Sequence, residues 1–505
     1  MEKPFYITTA IDYTNAPPHI GHAYEKILGD VMARDRRARG REVVYLIGVD
    51  QHGQKVQQSA ARAGVRPEVF AQDVTAKFLD LWKRLDIAYD RWAETTAPQH
   101  TECVRAILNQ LHQKGKIYKA RHGGYYSVRQ EQFLTEKDRG ADGSFSPDWG
   151  EVVFLEEENY YFCLTEFKDW LVGFLEAHRE SVLPAFRWTE LRNAVERLTG
   201  DLCISRPKSR LAWGIELPFD PEFVTYVWFD ALINYISFAG YTSHPVDFER
   251  LWPADYQVIG KDILAPAHGI YWLIMLRALD FPDERMPRLL VHGYINLRGD
   301  KISKSAGNTV DPAELVGKYG AEALRYYLMR EAVTGQDMEF SEDRLVARHN
   351  SDLANGLGNL LNRTLGMAKR YRQGVLKKPA DSPLAAPAAE AVSRHRAAFD
   401  RCEPHAALEA AAAFVAHCNG FIEESAPWKL AKDPAQAERL DAVLYGLAES
   451  LRILATLHEA TIPQAAQSLR EQLNTSLTDT AWGGLPDGHV LGAPRPLFPR
   501  IETPA

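Results

Sequence analysis

FYITTAIDYTNAPPHIGHAYEKILGDVMARDRRARGREVVYLIG, residues 5–48, is the stretch of sequence that decides the fold of the first domain. Residues 5–11 are rich in β-branched and aromatic side chains, which predicts a strand. Apolar side chains recur at helical spacing over residues 21–39, and Gly40 ends that predicted helix. Residues 43–47 form a continuous apolar run, as in a buried parallel strand. A β-α-β unit of this kind indicates a doubly wound α/β, Rossmann-like fold.

The rest of the chain changes character twice. Buried parallel strands are predicted again at residues 257–259 and 289–291, so the aromatic-rich, loop-containing sequence before them indicates an insertion that splits the α/β domain. After Asn350 the Ala- and Leu-rich sequence with helical periodicity predicts an all-α bundle, and the Gly and Pro after Asn474 predict an irregular strap that packs back. The expected domains are residues 1–111 (catalytic α/β domain, first half), 112–225 (connective insertion), 226–345 (second half) and 346–505 (helical bundle with its C-terminal strap).

The composition bounds the class of protein. A chain of 505 residues predicts several domains, since one core rarely grows past roughly 250–300 residues. No apolar run reaches the ~18 residues of a membrane span and no secretory signal precedes the first strand, which predicts no membrane association and a cytoplasmic location. Five scattered cysteines without a Cys-x-x-Cys pair fit a reducing compartment. The net charge of −8 provides no overall attraction to nucleic acid, so such a partner would have to meet local basic patches.

The first chemical motif is His19-Ile20-Gly21-His22, at the turn from the first strand into the first helix. This turn lies at the carboxyl edge of the sheet, where open α/β folds bind ligands. A helix start offers N–H groups and a positive partial charge to phosphate, and His19 and His22 share one helix face. Gly21 would let a nucleotide approach the backbone. The alternative is two surface histidines without a ligand.

The second motif is Lys301-Ile302-Ser303-Lys304-Ser305, in a predicted loop after the strand at residues 289–291. Two lysines among small hydroxyl side chains can neutralise charge that builds on a leaving pyrophosphate. The alternative for this motif alone is a solvated charged loop. No Gly-x-Gly-x-x-Gly follows the first strand, which argues against a dinucleotide-dependent dehydrogenase.

In this order and separation the two motifs resemble the paired signatures of class I aminoacyl-tRNA synthetases. The insertion is too small for the editing domain of the leucyl, isoleucyl and valyl enzymes, and the zinc-binding cysteines of the cysteinyl enzyme are missing. Six further stretches are similar to the methionyl-tRNA synthetase family in sequence and order, and the resemblance covers essentially the whole chain. They are AIDYTN at 10–15, GVDQHG at 48–53, YVWFDAL at 226–232, GKD at 260–262, SAPWK at 425–429 and LFPRIE at 497–502.

This resemblance implies that L-methionine is activated by ATP with Mg²⁺ and transferred to tRNA(Met), for translation initiation and elongation. It implies that His19, His22, Lys301 and Lys304 are catalytic. The residues implied to bind ATP are His19, Gly21, His22, Asp262, Lys301, Ser303 and Lys304. For Asp262, contact with the ribose, a place in the pocket wall and a structural ion pair all stay open.

The resemblance also implies a methionine pocket. Asp50 would hold the α-amino group, and the residues implied to surround the side chain are Ile11, Tyr13, Trp228 and His268. For Trp228 the alternative is an ordinary core residue. Residues 262–268 are one residue longer than the usual family spacing, and Ala267 stands where an aromatic residue is expected, which leaves the register of His268 open.

In the bundle, the resemblance assigns anticodon binding to Asn359, Arg363 and Trp428. Asn359 and Arg363 are four residues apart and so share a helix face. An exposed aromatic side chain for stacking, with edge hydrogen bonds from Asn and Arg, is how single-stranded RNA is read. The alternative is a buried tryptophan beside a solvated Asn–Arg pair.

Many methionyl enzymes carry a zinc knuckle in the insertion, built from two Cys-x-x-Cys pairs. Here Ser127, Gln130, Ser146 and Trp149 stand at the corresponding positions. Hydroxyl, amide and indole groups are not ligands for tetrahedral zinc, so no zinc is expected. No additional C-terminal tRNA-binding module is visible, which predicts a monomer.

Two other functions stay open at this point. One is a different nucleotidylyl transferase with the same histidine motif, whose pyrophosphate exchange would not depend on methionine. The other is a non-catalytic tRNA-binding paralogue, which would form no adenylate. The intact Lys301–Ser305 motif argues against the paralogue.

Overall fold

A computed structural model of the chain describes residues 3–127, 132–134, 139–140, 142–297, 300–301 and 310–502. The first half of the α/β domain contains β1 (Phe5–Thr9), β2 (Asp12–Tyr13), α1 (Ile20–Ala38), β3 (Val43–Asp50), α2 (Gln54–Ala63), α3 (Pro67–Arg84), β4 (Arg91–Glu94) and α4 (Pro98–Gln113). The insertion contains β5 (Ile117–Ser127), β6 (Gln132–Leu134), β7 (Val152–Phe162), α5 (Lys168–Ala177), β8 (Val182–Leu183), α6 (Ala185–Glu196), β9 (Leu202–Cys203), β10 (Ser205–Pro207), β11 (Glu216–Leu217) and β12 (Asp220–Thr225).

The second half of the α/β domain contains α7 (Val227–Leu232), α8 (Asn234–Ser237), α9 (Pro245–Leu251), β13 (Tyr256–Gly260), α10 (Leu273–Ala278), β14 (Leu289–His292), β15 (Ile295–Leu297), β16 (Asp300–Lys301), α11 (Pro312–Tyr319), α12 (Ala321–Glu331) and β17 (Met338–Glu339). The bundle contains α13 (Glu342–Arg348), α14 (Asn359–Arg372), α15 (Ala385–Asp400), α16 (Pro404–Ser425), α17 (Pro427–Leu430), α18 (Ala437–His458) and α19 (Pro463–Gln472).

The main sheet has seven strands in the order β2-β3-β1-β13-β14-β8, with β4 also paired to β3. Every pairing in it is parallel. The five residues of the central strand β1 are all buried, because helices cover both faces of a parallel sheet. The predicted doubly wound α/β fold followed by a helical bundle is confirmed.

The first β-α-β unit follows the local sequence signals closely. Helix α1 starts at Ile20 and ends at Ala38, and Gly40 beyond it has a φ of +81°, a conformation that glycine adopts without strain. The first strand is shorter than predicted and ends at Thr9. Residue Ala10 still donates its N–H to the carbonyl oxygen of Val258, at 3.1 Å, before the chain turns towards the site.

The insertion is built on the long antiparallel pair of β5 and β7, in a four-stranded sheet of order β6-β5-β7-β9. A second sheet of three strands has the order β10-β12-β11. Strand β8 lies within the range predicted for the insertion, yet it pairs in parallel with β14 at the edge of the main sheet. The insertion is therefore anchored in the α/β domain through one of its own strands.

The bundle packs on the α/β domain through a shared hydrophobic core that runs from α1 and α3 into α14–α19. Arg325 of α12 lies at this junction with no exposed side-chain surface, and its Nη2 donates to Asp30 Oδ2 at 2.7 Å. The same guanidinium donates to the carbonyl oxygen of Thr461 at 2.8 Å. Leu485 and Leu491, which follow the last helix, are buried. None of the helices in the described ranges combines the length and apolar character that crossing a bilayer requires.

Candidate active site

A cavity of about 590 Å³ opens at the carboxyl edge of the main sheet. Asp262 belongs to the lining of this cavity, and so do all five residues that the sequence predicts for the amino-acid pocket. The five are Ile11, Tyr13, Asp50, Trp228 and His268. The remaining lining residues are Ala10, Lys55, Trp149, Tyr226, Val227, Ala231, Leu232, Asn234, Tyr235, Ile263, Ala265, Pro266, Ala267, Tyr271 and Tyr294. The lining is mostly aromatic and apolar, with a small number of charged groups.

His268 lines this cavity from the π-helical segment Leu264–Trp272. Within that segment Ala265 adopts an extended conformation (φ −125°, ψ 128°), and a cis peptide bond joins it to Pro266. The imidazole ring lies edge-on to the indole of Trp228, with ring centroids 6.2 Å apart.

Two hydrogen bonds fix the ring of His268. Its Nδ1–H donates to the carbonyl oxygen of Ile263 at 2.9 Å, so Nε2 accepts from the hydroxyl of Tyr235 at 2.7 Å. Burial lowers the pKa of His268 to about 4. The imidazole is therefore neutral near pH 7 and presents a polarisable face without a charge.

Asp50 ends β3 and places a carboxylate at the cavity with only 6% of the residue exposed. Its Oδ1 accepts from the N–H of His52 at 3.3 Å. Gly53 follows with a φ of +105°, and a Cβ there would lie 2.5 Å from the hydroxyl of Tyr13. The turn after Asp50 therefore requires glycine at position 53 for two reasons: the positive φ and the close approach of the Tyr13 hydroxyl.

His19 and His22 form a reciprocal cap at the start of α1. The N–H of Gly21 donates to His19 Nδ1, and the N–H of His19 donates to His22 Nδ1, both at 3.1 Å. The two rings stack with centroids 3.8 Å apart. Because both Nδ1 atoms accept, the ring proton of each neutral histidine lies on Nε2.

The cap also occupies part of the backbone at the helix start. The N–H groups of His22 and Ala23 donate to the carbonyl oxygen of His19, and Gly21 donates to the His19 ring. Phosphate binding by this helix start stays a prediction. A Cβ at Gly21 would lie 2.9 Å from His19 Cε1, so glycine is required here by the capping ring. Among the described residues, the cavity lining does not include His19, Gly21 or His22.

Lys26 joins α1 to the loop that carries Ile11 and Tyr13. Its side chain is wholly buried, and Nζ donates to Asp12 Oδ1 at 2.9 Å, Glu25 Oε1 at 3.0 Å and the carbonyl oxygen of Ala10 at 2.8 Å. Burial works against the charged form, but the carboxylates of Asp12 and Glu25 raise the pKa of Lys26 above its usual value. The ammonium thus stays charged with its three hydrogens satisfied.

Glu25 extends the same network to the far side of the site. Its Oε2 lies 3.1 Å from Nε2 of His292, the last residue of β14. Burial would raise the pKa of Glu25, but Lys26 and His292 together lower it. The helix that carries the histidine motif therefore contacts the end of β14, and the lysine motif follows β14 in the chain.

Only the first residue of that lysine motif lies within the described part of the chain. The backbone of Lys301 pairs with Asn296 in the antiparallel β15–β16 pair. Ser303 and Lys304 lie outside the described residues, so their predicted roles stay predictions.

A buried chain of ionisable groups supports the turn after β3. Asp230 of α7 is fully buried between two histidines, with Oδ2 2.7 Å from His52 Nδ1 and Oδ1 2.8 Å from His100 Nε2. His100 Nδ1 lies 2.8 Å from Ser237 Oγ. Burial by itself would raise the pKa of Asp230, but His52 and His100 hold it at about 2.

In the bundle, Asn359 and Arg363 of α14 line a groove of about 500 Å³. Asn359 Nδ2 donates to Asn419 Oδ1 at 3.2 Å, and Arg363 Nη2 pairs with Glu423 Oε1 at 2.6 Å. Trp428 is 37% exposed in the short helix α17, so it is not a core residue. The described lining of the groove does not include Trp428, which follows the end of α16 by three residues.

Several site residues were missed by reasoning from the sequence. Tyr235, Lys55 and Trp149 line the cavity, and Lys26 and Asp230 hold its frame. A signal existed for Lys26, because it falls on the apolar face of the predicted helix, between Ala23 and Ile27. A charged residue on such a face needs a buried partner. For Trp149, nothing in the local sequence points to the cavity.

Two family models match the chain. The model described as "tRNA synthetases class I (M)" matches residues 5–142 and 149–365. The model described as "Anticodon binding domain of methionyl tRNA ligase" matches residues 373–504. Together the two models cover both the α/β domain with its insertion and most of the bundle.

Curated relatives and solved structures agree with these models. The methionine–tRNA ligase of Deinococcus radiodurans is 42% identical over 100% of this chain and 75% of its own length. The ligase of Caldanaerobacter subterraneus is 41% identical over 100% of this chain and 80% of its own. The structure of Mycobacterium tuberculosis methionyl-tRNA synthetase in complex with methionyl-adenylate has a TM-score of 0.93 at 36% identity. The match covers 99% of this chain and 100% of the chain in that structure.

The buried Asp230 carboxylate leads to a stability prediction. The substitution Asp230→Asn keeps the shape and removes the charge. We expect it to lower the free energy of unfolding by about 2–3 kcal/mol at pH 7, because His52 and His100 hold the pKa of the carboxyl at about 2 instead of its ordinary 3.8. Because the folded-state pKa is lowered, this contribution is complete above the ordinary pKa of 3.8 and is lost as the pH falls towards 2. Urea unfolding should give a difference from wild type at pH 5 that is no smaller than the difference at pH 7.

The matched control is Asp73→Asn, at an exposed aspartate on α3, which should change the unfolding midpoint little. A difference for Asp230→Asn that already shrinks between pH 7 and pH 5 would contradict the assignment of a strongly lowered pKa.

Proposed function

Because the chain belongs to the methionyl-tRNA synthetase family of class I aminoacyl-tRNA synthetases, we propose that the cavity at the edge of the main sheet is where methionine and ATP react. The reaction of the family is the ATP-dependent activation of L-methionine, followed by transfer to tRNA(Met). The observation that carries the proposal is that one cavity of about 590 Å³ is lined by Ile11, Tyr13, Asp50, Trp228 and His268 together.

Selectivity for methionine follows from the chemistry of these walls. The carboxylate of Asp50 pairs with the α-ammonium group of the amino acid by a charge-assisted hydrogen bond. The thioether has no strong hydrogen-bonding group, so shape and contact with aromatic rings distinguish it. Tyr13 and Trp228 supply those rings, and His268 is kept neutral by burial.

In the first step, an oxygen of the methionine carboxylate attacks the α-phosphorus of Mg²⁺-ATP. The bond to the bridging oxygen breaks, and pyrophosphate leaves with its electron pair. The Nε2–H groups of His19 and His22 donate to phosphate oxygens, and Lys301 and Lys304 stabilise the charge that grows on the pyrophosphate. Gly21 and Ser303 belong to the same two motifs and would help to bind ATP, as would Asp262, which is part of the cavity lining. Catalysis is by positioning and electrostatics, without a covalent enzyme intermediate.

In the second step, a hydroxyl of the terminal adenosine of tRNA(Met) attacks the carbonyl carbon of the adenylate, and AMP leaves. The bundle recognises the anticodon. Trp428 offers an exposed ring for stacking, and Asn359 and Arg363 offer edge hydrogen bonds from the groove between α14 and α16. We also propose that the protein is monomeric and acts in the cytoplasm, where its substrates are; sedimentation at several concentrations tests the first point.

The reaction is tested by ATP–pyrophosphate exchange with each standard amino acid in turn. Exchange that depends on methionine supports the proposal. Exchange without methionine would identify a different nucleotidylyl transferase, and no exchange at all would identify a non-catalytic paralogue.

Lys304→Ala should lower the exchange rate by about 10²–10³-fold while methionine binding survives, because the lysine acts on charge that grows in the transition state. Lys318→Ala is the matched control, since Lys318 is an exposed lysine on the following helix. Comparable losses of methionine affinity and rate in Lys304→Ala would count against the role given to this lysine.

Trp428→Ala should weaken aminoacylation of tRNA(Met) by about 10-fold or more, since base stacking contributes roughly 1–3 kcal/mol per base. Exchange measured without tRNA should be unchanged, because the bundle is remote from the cavity. Val490→Ala removes another exposed apolar side chain of the same domain and should affect neither activity. If exchange also collapsed in Trp428→Ala, the tryptophan would be a structural residue.

We propose further that no zinc is bound in the insertion. Of the four positions where a knuckle would have thiolates, Ser127, Ser146 and Trp149 lie in the described residues, and Gln130 lies outside them. The hydroxyl of Ser127 donates to the carbonyl oxygen of Trp149 at 2.6 Å, so these positions contact each other through a hydrogen bond. Hydroxyl and indole groups do not fit a tetrahedral zinc site.

Elemental analysis of the purified protein should therefore find no stoichiometric zinc. Strong zinc chelators should leave the melting temperature and the exchange rate unchanged once Mg²⁺ is resupplied. One zinc per chain would overturn this proposal and the alignment of the insertion on which it rests.

A further inference from the structure

We propose that Trp149, at a zinc-ligand position of the lost knuckle, is a wall of the methionine pocket and helps to determine its affinity for methionine. This inference rests on the proposed function, because it takes methionine as the occupant of the cavity. Of the described residues that line the cavity, Trp149 is the one contributed by the insertion. The other walls come from the α/β domain.

The turn that carries Trp149 has a defined backbone. Residues Pro147–Trp149 form a single 3₁₀ turn, and the side chain of Ser146 accepts from the N–H of Asp148 at 3.3 Å to cap it. Gly150 closes the turn with a φ of +65°. The indole is half-buried, whereas the neighbouring residues of the turn are exposed. The turn therefore directs one side chain, and only that one, towards the cavity.

Two contacts connect this turn to the frame of the pocket. The wholly buried Ser127, at the end of β5, donates its hydroxyl to the carbonyl oxygen of Trp149 at 2.6 Å. The adjacent Tyr126 is also buried, and its hydroxyl lies 3.3 Å from Oε1 of Gln54. Gln54 starts α2, four residues after Asp50. The position of Trp149 is thus set relative to the carboxylate that holds the amino group.

Two arginine side chains lie over the aromatic ring of Tyr126. The guanidinium group of Arg210 lies 4.7 Å from the ring centroid, and that of the buried Arg206 lies 5.6 Å away. Such cation–π contacts favour one ring position. The end of β5, to which the turn of Trp149 is hydrogen-bonded, is therefore held by side-chain contacts.

The chemistry of an indole suits this place. A thioether gains from contact with aromatic rings, and a large flat side chain excludes water from the apolar part of a pocket. In a knuckle with four thiolates this position would be committed to the metal. In this chain the same position supplies contact area to the substrate.

The test measures exchange kinetics with methionine and ATP varied separately. Trp149→Ala should raise KM for methionine by about tenfold, the scale of a lost aromatic contact with a thioether. The KM for ATP and kcat should change by less than about twofold, because the contact is present before the transition state as well as in it. Trp149→Phe keeps a ring and should stay within about threefold of wild type.

Asp148→Ala is the matched control, because Asp148 lies in the same turn with an exposed side chain outside the cavity lining. It should leave KM for methionine unchanged, whereas a loss that came from disruption of the turn would affect both variants alike. If Trp149→Ala melts early, Trp149→Leu replaces it, with an expected rise of about threefold in KM for methionine.

Three results would overturn the inference: an unchanged KM for methionine in Trp149→Ala, an equal effect in Asp148→Ala, or an effect confined to ATP. Each of these requires that the wild-type enzyme exchanges normally with methionine. Absence of methionine-dependent exchange in the wild-type protein is a different outcome, because it contradicts the proposed function itself.

Discussion

The buried ammonium of Lys26 is the interaction on which the architecture of the site depends. A charge taken out of water is tolerated only when it is fully paired, and its three hydrogens have three acceptors on Ala10, Asp12 and Glu25. These acceptors lie on the loop after β1 and on α1 itself. These contacts fix the position of α1, which follows His19, relative to the loop that carries Ile11 and Tyr13.

The same logic applies on the other side of the cavity. Asp230 is buried between His52 and His100, and its carboxylate holds the turn after β3 against α4 and α7. Without such pairing, three ionisable groups could not be placed inside an apolar core. The cavity is thus framed by two polar networks, while most of its own lining is aromatic and apolar.

The insertion contributes more than a connection between two halves of a sheet. Its strand β8 extends the main sheet next to β14, and its 3₁₀ turn delivers Trp149 to the cavity. The hydrogen bond from Ser127 to the carbonyl oxygen of Trp149 connects this turn to the end of β5.

The sequence by itself determined the β-α-β unit, the helical bundle and the two motifs of the site. These features are local, since periodicity, glycine stops and motif spacing lie within a few turns of chain. The family followed from the same local stretches. Only the tertiary structure decided that the His19 and His22 rings cap the start of α1, and that His268 lies edge-on to Trp228 in the lining of the cavity.

The tertiary structure alone also decided which distant residues meet. Asp230 contacts histidines 130 and 178 residues earlier in the chain, and Trp149 faces a cavity whose other walls belong to another domain. Such pairings depend on how finished elements pack, and a single sequence carries no local signal for them. The physical reason is that burial and charge pairing depend on residues that folding brings together, whereas secondary-structure propensity depends on the local sequence.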